Sequence, residues 1–442
     1  MRFALLARRL HLRGLTPGIR RALRILAGHG AAEGELSEVV RQTDGAAALL
    51  RWYYCLNALQ AFGAICYVLR EGARAIARLA PIAHTFRMTY ATPAADGRYR
   101  LSRFAYLRRG HERLVLDSPL AGAQVELMDS RALAMVAALC RPTTARGVAA
   151  AARGTSAAAA RMFVSLIGNA GMLEDAKRDA PDWDFGDLVF HASARKRRRD
   201  LLAPVGRDGR QRLPPAIKPA MSGTFIPLFR PNIAGLRARD VPFTRVIETR
   251  RSLRSYASAP LTVHQLGEFL FRVARVKRVV RARVRNGGPQ FTRRPYPSGG
   301  ARYGLELYPV IGDCRGVAQG MYHYDPMHHR LEALTPAPED VHNLLHYAAT
   351  AAGRAAEPQV LIVLTARFRR VTSKYRVMAY ALVLKEVGVL MQTMYLVATA
   401  MNLAPCALGA GDPELFARLI GTEFHHETSV GEFLLGSRRL PR

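Results

Sequence analysis

The sequence predicts an α+β chain. Two similar helical units, each with a strand-like ribbon, precede a larger region in which an antiparallel or mixed sheet is surrounded by helices. Three observations lead there. Residues 15–68 and 128–175 repeat one order of elements. From Pro181 to about Asp240 the chain turns basic and rich in proline and glycine, the composition of a linker. From Val241 onward, strand-like runs such as LELYPVI and PQVLIVLTARF are interleaved with helical ones, which is the pattern of a mixed domain.

In each repeat a short apolar helix (TPGIRRALRILAGHG; DSRALAMVAALCRP) is followed by a second (EGELSEVVRQTD; TARGVAAAARG). A longer third helix then closes near a glycine, Gly63 or Gly171, where a helix stops. Strand-like flanks complete each unit: ICYVLREGARAIARLAPI after the first, FAYLRRGHERLVLDSPLAGAQVELMD before the second. Three short helices and a two-stranded ribbon describe a winged helix. We therefore expect winged-helix-like domains at 1–95 and 96–180, a basic proline-rich linker at 181–240 and a larger domain at 241–442. The third helices carry Trp52, Tyr53, Leu56 and Leu59, or Met162, Phe163, Leu166 and Ile167. A helix that reads base edges needs a polar face, so nucleic acid is not the expected partner. The run Arg195–Arg199 reads as a solvated basic face.

Composition bounds the rest. Among 442 residues, 49% are hydrophobic and 22% charged, which is globular usage and excludes fibrous and disordered classes. A formal charge of +31 favours acidic partners. Five scattered cysteines without metal spacing point away from disulfides and from a metal site, and towards a reducing cytoplasm. The first residues lack a cleavage-like site and do not read as a signal peptide. Two uncharged runs, Trp52 to Leu69 and Val387 to Gly411, contain Asn57 and Gln60, or Gln392, Asn402 and Pro405. They read as buried helices, with no membrane association expected. The helix within Arg376–Asn402 is apolar on nearly every side, which predicts burial in a core or across a subunit interface.

Two stretches carry the candidate chemistry. ETRRSLRSY places Arg250, Arg251, Ser252 and Arg254 together, and guanidinium forks suit phosphate oxygens. PYPSGG gives Pro297 and Ser298 before two residues without side chains, Gly299 and Gly300; such a turn lets main chain approach a flat ring closely. A ligand with a phosphate and a flat ring is flavin mononucleotide.

These stretches, followed by GMYHYDPMHHRLEAL, SKYRVMAYALVLKEVGVLMQTMYLVATAMNLAP, LGAGDPELFARLIG and EFLLG, resemble in their order the SagB/ThcOx-type (McbC-like) dehydrogenases of the nitroreductase superfamily. The resemblance is strongest over 241–442. The N-terminal half, with RFAYLRR and DLVFHASAR, is similar to the tandem winged-helix, peptide-clamp region of some members. It implies FMN-dependent oxidation of thiazoline or oxazoline rings in a ribosomally made precursor peptide, a homodimer, and a YcaO-type cyclodehydratase as partner. By the same resemblance Arg250, Arg251, Ser252 and Arg254 hold phosphate and ribityl, and Pro297, Ser298 and Gly299 lie beside the ring. Gly409 and Gly411 form a second glycine loop, and Arg438 or Arg439 is a C-terminal phosphate ligand. Lys374 and Tyr375 are the implied catalytic pair. Free tyrosine, with a pKa of about 10, is a poor base near neutrality, and an adjacent ammonium favours its phenolate.

The chain departs from the family at Val389, where a histidine is expected, at Gly304, where proline is frequent, and in the looser loop GAGDP. Glu386 and Gln392 are left outside the site. His323, His328, His329, His425 and His426 read as turn and surface residues. Two alternatives stay open: a nitro or flavin reductase fed by NAD(P)H, and a non-enzymatic winged-helix regulator that binds nucleic acid.

Overall fold

The computed structural model describes residues 1–5, 14–83, 86–89, 93–94, 96–110, 112–174, 183–195, 213–281, 290–353, 357–375 and 378–439. The basic run beyond Arg195 and the pair 376–377 lie outside them. The chain divides into two units, Met1–Ala203 and Pro204–Arg442.

The N-terminal unit runs β1 (Arg2–Leu5), α1 (Pro17–Ala27), α2 (Glu33–Asp44), α3 (Ala48–Ala61), β2 (Ile65–Glu71), β3 (Arg74–Pro81), β4 (Tyr106–Arg109), β5 (Leu114–Asp117), β6 (Ala123–Leu127), α4 (Ser130–Ala138), α5 (Ala145–Ala151), α6 (Ala157–Asn169) and α7 (Phe185–Arg195). Local signals set the helix ends. Thr16, Asp129, Thr144 and Ser156 each accept a backbone N–H of the helix they precede, the usual N-cap arrangement. Gly63 and Gly171, with φ of 54° and 77°, take the left-handed turn that ends α3 and α6.

The two ribbons do not stay separate. The strand order is β1-β2-β3-β6-β5-β4, with β3 and β6 antiparallel from Ala77↔Leu127 to Pro81↔Ala123. One core runs beneath this sheet, from Trp52 and Leu56 of α3 through Ile76, Leu79 and Val125 to Phe163 and Ile167 of α6. Outward, α3 exposes Leu50 and Tyr54, at 83% and 78% of their surface.

The C-terminal unit runs β7 (Phe225–Pro227), α8 (Ile233–Arg239), α9 (Phe243–Thr249), β8 (Leu261–Thr262), α10 (Val263–Ala274), β9 (Arg278–Arg281), β10 (Gln290–Arg293), β11 (Leu305–Ile311), β12 (Cys314–Arg315), β13 (Gly320–Asp325), β14 (Arg330–Ala333), α11 (Pro338–Ala351), β15 (Val360–Arg367), α12 (Phe368–Thr372), α13 (Ala379–Ala400), β16 (Leu403–Leu408), α14 (Pro413–Leu419) and β17 (Glu427–Ser437). The main sheet has the order β16-β17-β15-β11-β13-β14-β7, antiparallel throughout. Part of the stretch read as a linker is thus an edge strand. The α+β class is the one the sequence predicts.

Side chains alternate across β15. Ile362 and Leu364 pack with α10 and α13, through Phe269, Leu390 and Met394. Leu361 and Val363 pack with α11 and α14, through Leu345 and Phe416. Thr262 and Gln265 close a reciprocal capping box on α10. Thr262→Ala is expected to lower the stability of this unit by about 1 kcal/mol, measured as a shift in the denaturant midpoint.

Within one chain the core covers a single face of α13, and the other face stays open, as the subunit-interface alternative allows. Val383, Val387, Leu390 and Met394 are covered, while Tyr380, Leu384 and Val389 are 48%, 37% and 39% exposed. Tyr380 and Leu384, one turn apart, leave an apolar strip open, while Val389, nine residues from Tyr380, emerges on the far edge of the uncovered face. By length and composition α13 would also cross a membrane; here it packs on the sheet. One expectation, on the histidines, needs correction. His323 and His329 are buried rather than superficial: His323 lies on β13, which is covered on both sides, and His329, in the turn that follows, is held by Tyr324 Oη and the Phe229 carbonyl at 2.8 Å each. His323 sits between two carboxylates, with Nδ1 3.2 Å from Glu332 and Nε2 3.4 Å from Glu306.

Candidate active site

Gly300 has φ of 59° in the short 3-10 turn Gly299–Ala301, and Ala301 and Tyr303 follow at φ of 55° and 44°. Backbone in this region costs a non-glycine residue free energy, so something must hold the turn. At one end Glu386 of α13 does so. Its carboxylate accepts the Ser298 hydroxyl at 2.9 Å and the Gly299 amide at 2.7 Å, and the Ser298 oxygen accepts from Tyr303 N at 2.8 Å. At the other end Arg370, fully buried, donates through Nε and Nη2 to the Arg302 carbonyl at 2.9 and 2.6 Å.

Lys374 and Tyr375 hang from the end of α12, both amides donating to the Val371 carbonyl. Their side chains meet the turn. A Cβ added at Gly300 would lie 2.5 Å from Lys374 Nζ and 3.0 Å from Tyr375 Oη. The ammonium stands 5.2 Å from the Tyr375 ring centre. Gly300→Ala therefore meets both side-chain ends as well as a disfavoured φ. It is expected to cost about 1 kcal/mol of stability, read by thermal unfolding, and to suppress any chemistry that needs the pair in place.

A second cluster gathers around Tyr395, farther along α13. Tyr395 Oη accepts the Ala407 amide at 2.8 Å and shares a 2.7 Å hydrogen bond with the Ser252 hydroxyl. The Arg250 guanidinium lies 5.3 Å from the Tyr395 ring centre. Leu253 N bonds Pro405 O at 2.8 Å, and Tyr256 bridges Arg438, whose Nη1 donates to Asn402 at 3.1 Å. Arg250, Ser252 and Arg438 thus share one end of the sheet, with Arg251, Arg254 and Arg439 exposed alongside. Gly409 and Gly411 are also exposed. Gly411 abuts Glu432 on the sheet face opposite α13, and its nearest neighbours are not those of the Gly300 turn.

Glu386 and Tyr395 are nine residues apart in α13. At 3.6 residues and 5.4 Å per turn this places them on opposite sides of the helix, about 13 Å apart along it. The ring-loop residues and the phosphate-type residues therefore face different ways. Glu386 was legible only as a polar residue on an apolar helix; its partners lie 88 residues upstream. Burial pushes its carboxyl up, against the opposing pull of the Gly299 amide and Ser298 hydroxyl.

Residues 247–436 match the nitroreductase family. A protein of Methanocaldococcus jannaschii named as a nitroreductase is 31% identical over 180 residues, 41% of this chain and 82% of the relative. The chain belongs to the nitroreductase family. Residues 3–90 and 99–200 match the ThcOx helix-turn-helix domain and the cyanobactin oxidase ThcOx, and together these matches make the chain an oxidoreductase with a ThcOx-type N-terminal half. The trifolitoxin-processing protein TfxB of Rhizobium leguminosarum bv. trifolii is 36% identical over 86 residues, 19% of this chain and 23% of TfxB. The microcin B17-processing protein McbC of Escherichia coli is 31% identical over 126 residues, 26% of this chain and 43% of McbC. The chain therefore matches less than half the length of either peptide-processing relative.

Proposed function

We propose that this protein is an FMN-dependent dehydrogenase that oxidises thiazoline or oxazoline rings to thiazoles or oxazoles in a ribosomally made precursor peptide. The observation that carries the reading is the convergence of Lys374 Nζ and Tyr375 Oη on the bare Cα of Gly300. The residues suit FMN by their chemistry. Arg250, Ser252 and Arg438 offer charged and hydroxyl donors at one end of the sheet, fitted to a phosphate, with Arg251, Arg254 and Arg439 within reach. The Pro297–Gly300 turn offers main chain without a Cβ to a flat ring. Gly409 and Gly411 stand apart from this turn, Gly411 against Glu432 on the other face of the sheet, and are left out of the proposed ring environment.

Aromatising an azoline removes a proton from Cα and a hydride from Cβ. The bound flavin supplies the hydride acceptor. Tyr375 Oη takes the Cα proton, and the Lys374 ammonium offsets the charge that makes the oxygen a base; the two roles are exchangeable between them. Glu386 and Arg370 keep the turn against this pair.

The opposite facing of the two clusters on α13 supports a site completed by a second copy of the chain. Tyr380 and Leu384 of α13, with Phe243 and Ile247 exposed on α9, supply apolar area for that homodimer. Precursor peptide and a YcaO-type cyclodehydratase are the remaining proposed partners. The names of TfxB and McbC as peptide-processing proteins favour this reading over general reduction.

The test is to incubate the yellow, FMN-loaded protein with an azoline-containing peptide under air. A loss of about 2 mass units per ring is expected, one proton and one hydride. The match across 82% of a relative named as a nitroreductase favours the second reading, reduction by NAD(P)H. Rapid bleaching of the flavin by NAD(P)H without peptide, and no mass change with it, would decide for that alternative.

A further inference from the structure

On the sheet face opposite α13, a cavity of about 250 Å³ opens between α11, α14 and strands β15 to β17. Val363, Leu408 and Phe416 give it apolar walls, Tyr347 stands at its mouth, and Gly411 forms part of the rim. Glu432, 7% exposed, places a carboxyl in it. Oε1 of that carboxyl accepts from the Ser429 hydroxyl, whereas Oε2 has no hydrogen bond among the described residues. Gly411 lets the carboxyl sit there, since a Cβ at that position would collide with it.

We propose that this cavity binds a small primary amine with an apolar body about the size of one ring. Volume sets the size: an engineered apolar cavity of about 150 Å³ holds benzene, so this one takes a ring with a short chain. The walls exclude a strongly polar body. An ordered water needs two to four polar partners, and the carboxyl offers one open oxygen. A buried carboxylate is most strongly satisfied by a charge-assisted donor that also neutralises it, which selects an ammonium over a hydroxyl and rejects an acid.

Burial pushes the Glu432 carboxyl up, against the Ser429 hydrogen bond. In the pH range where the empty site's carboxyl still carries its proton, binding an ammonium ion releases it, and affinity rises with pH until the empty site is ionised. The other titratable groups lining the cavity are Asp412, whose Oδ1 caps α14 through Leu415 N at 2.8 Å, and Tyr347, half exposed at the mouth. The proposal is independent of the flavin reading.

The experiment titrates the full-length protein with phenethylamine, 2-phenylethanol and phenylacetate, followed by calorimetry or saturation-transfer NMR. Phenethylamine is expected to saturate one site at least about tenfold more tightly than the alcohol, with phenylacetate weakest. Glu432→Gln should erase that preference and its pH dependence. Ala351→Phe at the rim and Ala348→Phe within the cavity should block all three probes. Circular dichroism establishes that each variant is folded. The proposal is overturned by non-saturable phenethylamine binding, by equal affinity for the alcohol, or by an unchanged preference in folded Glu432→Gln.

Discussion

Tyr375→Phe is expected to slow ring oxidation by roughly 10²–10⁴-fold, the range for loss of a positioned acid–base group, with FMN content unchanged. The substitution removes only Oη, the atom that approaches the Gly300 turn, and keeps the ring that packs into the core beside Leu382. Lys374→Ala is expected to fall in the same range, because in the proposed mechanism its ammonium and the phenol oxygen act on one proton. Groups that work as a unit are not additive, so the double variant should be scarcely slower than either single one. The measurements are single-turnover mass loss in the peptide and flavin absorbance in the protein. A pair of single variants that oxidise the peptide at the parental rate would remove the proposed chemistry while leaving the fold untouched.

The largest effect on stability is expected from Glu306→Ala, about 3–5 kcal/mol, the cost of stripping one partner from a buried charged group. Glu306 is 1% exposed and holds the Arg367 guanidinium at 3.1 Å besides His323. Burial alone would raise its carboxyl. The His323 hydrogen bond and the charges of Arg294 and Arg367 outweigh it and bring the group down to about 2. A folded value below the unfolded one means a contribution complete above the ordinary glutamate range near 4.5. That contribution fades as pH falls from there towards about 2. Both tryptophans, Trp52 and Trp183, lie in the N-terminal unit, so far-UV circular dichroism should follow the unfolding of the other unit. Equal acid sensitivity in the parent and Glu306→Ala would refute the assignment.

Local patterns reveal most of the helices and strands. The capping box at Thr262, the glycine stops after α3 and α6 and the continuous apolar run of β15 are short-range signals, and each of these elements appears where its signal puts it. The arginine–serine stretch and the Pro-Ser-Gly-Gly turn were legible because phosphate and ring chemistry demand particular residue types. Long-range pairing was not. Glu386 meets Ser298 across 88 residues, and its role depends on how α13 rotates against the turn. His323 was read from its place near a turn, but burial depends on what covers both sides of β13. The outward face of α3 shows the opposite failure: apolar residues at helical spacing mark a helix without saying which of its sides the core takes.

The adjacency of β3 and β6 has a consequence for how this chain can be divided. A gene fragment ending between the two helical units would release two half-sheets, each with a raw flank of unpaired amides and carbonyls ready to stick to a neighbour. The two helical units are therefore to be expressed as one piece, and a cut near position 204 leaves the six-stranded and seven-stranded sheets whole.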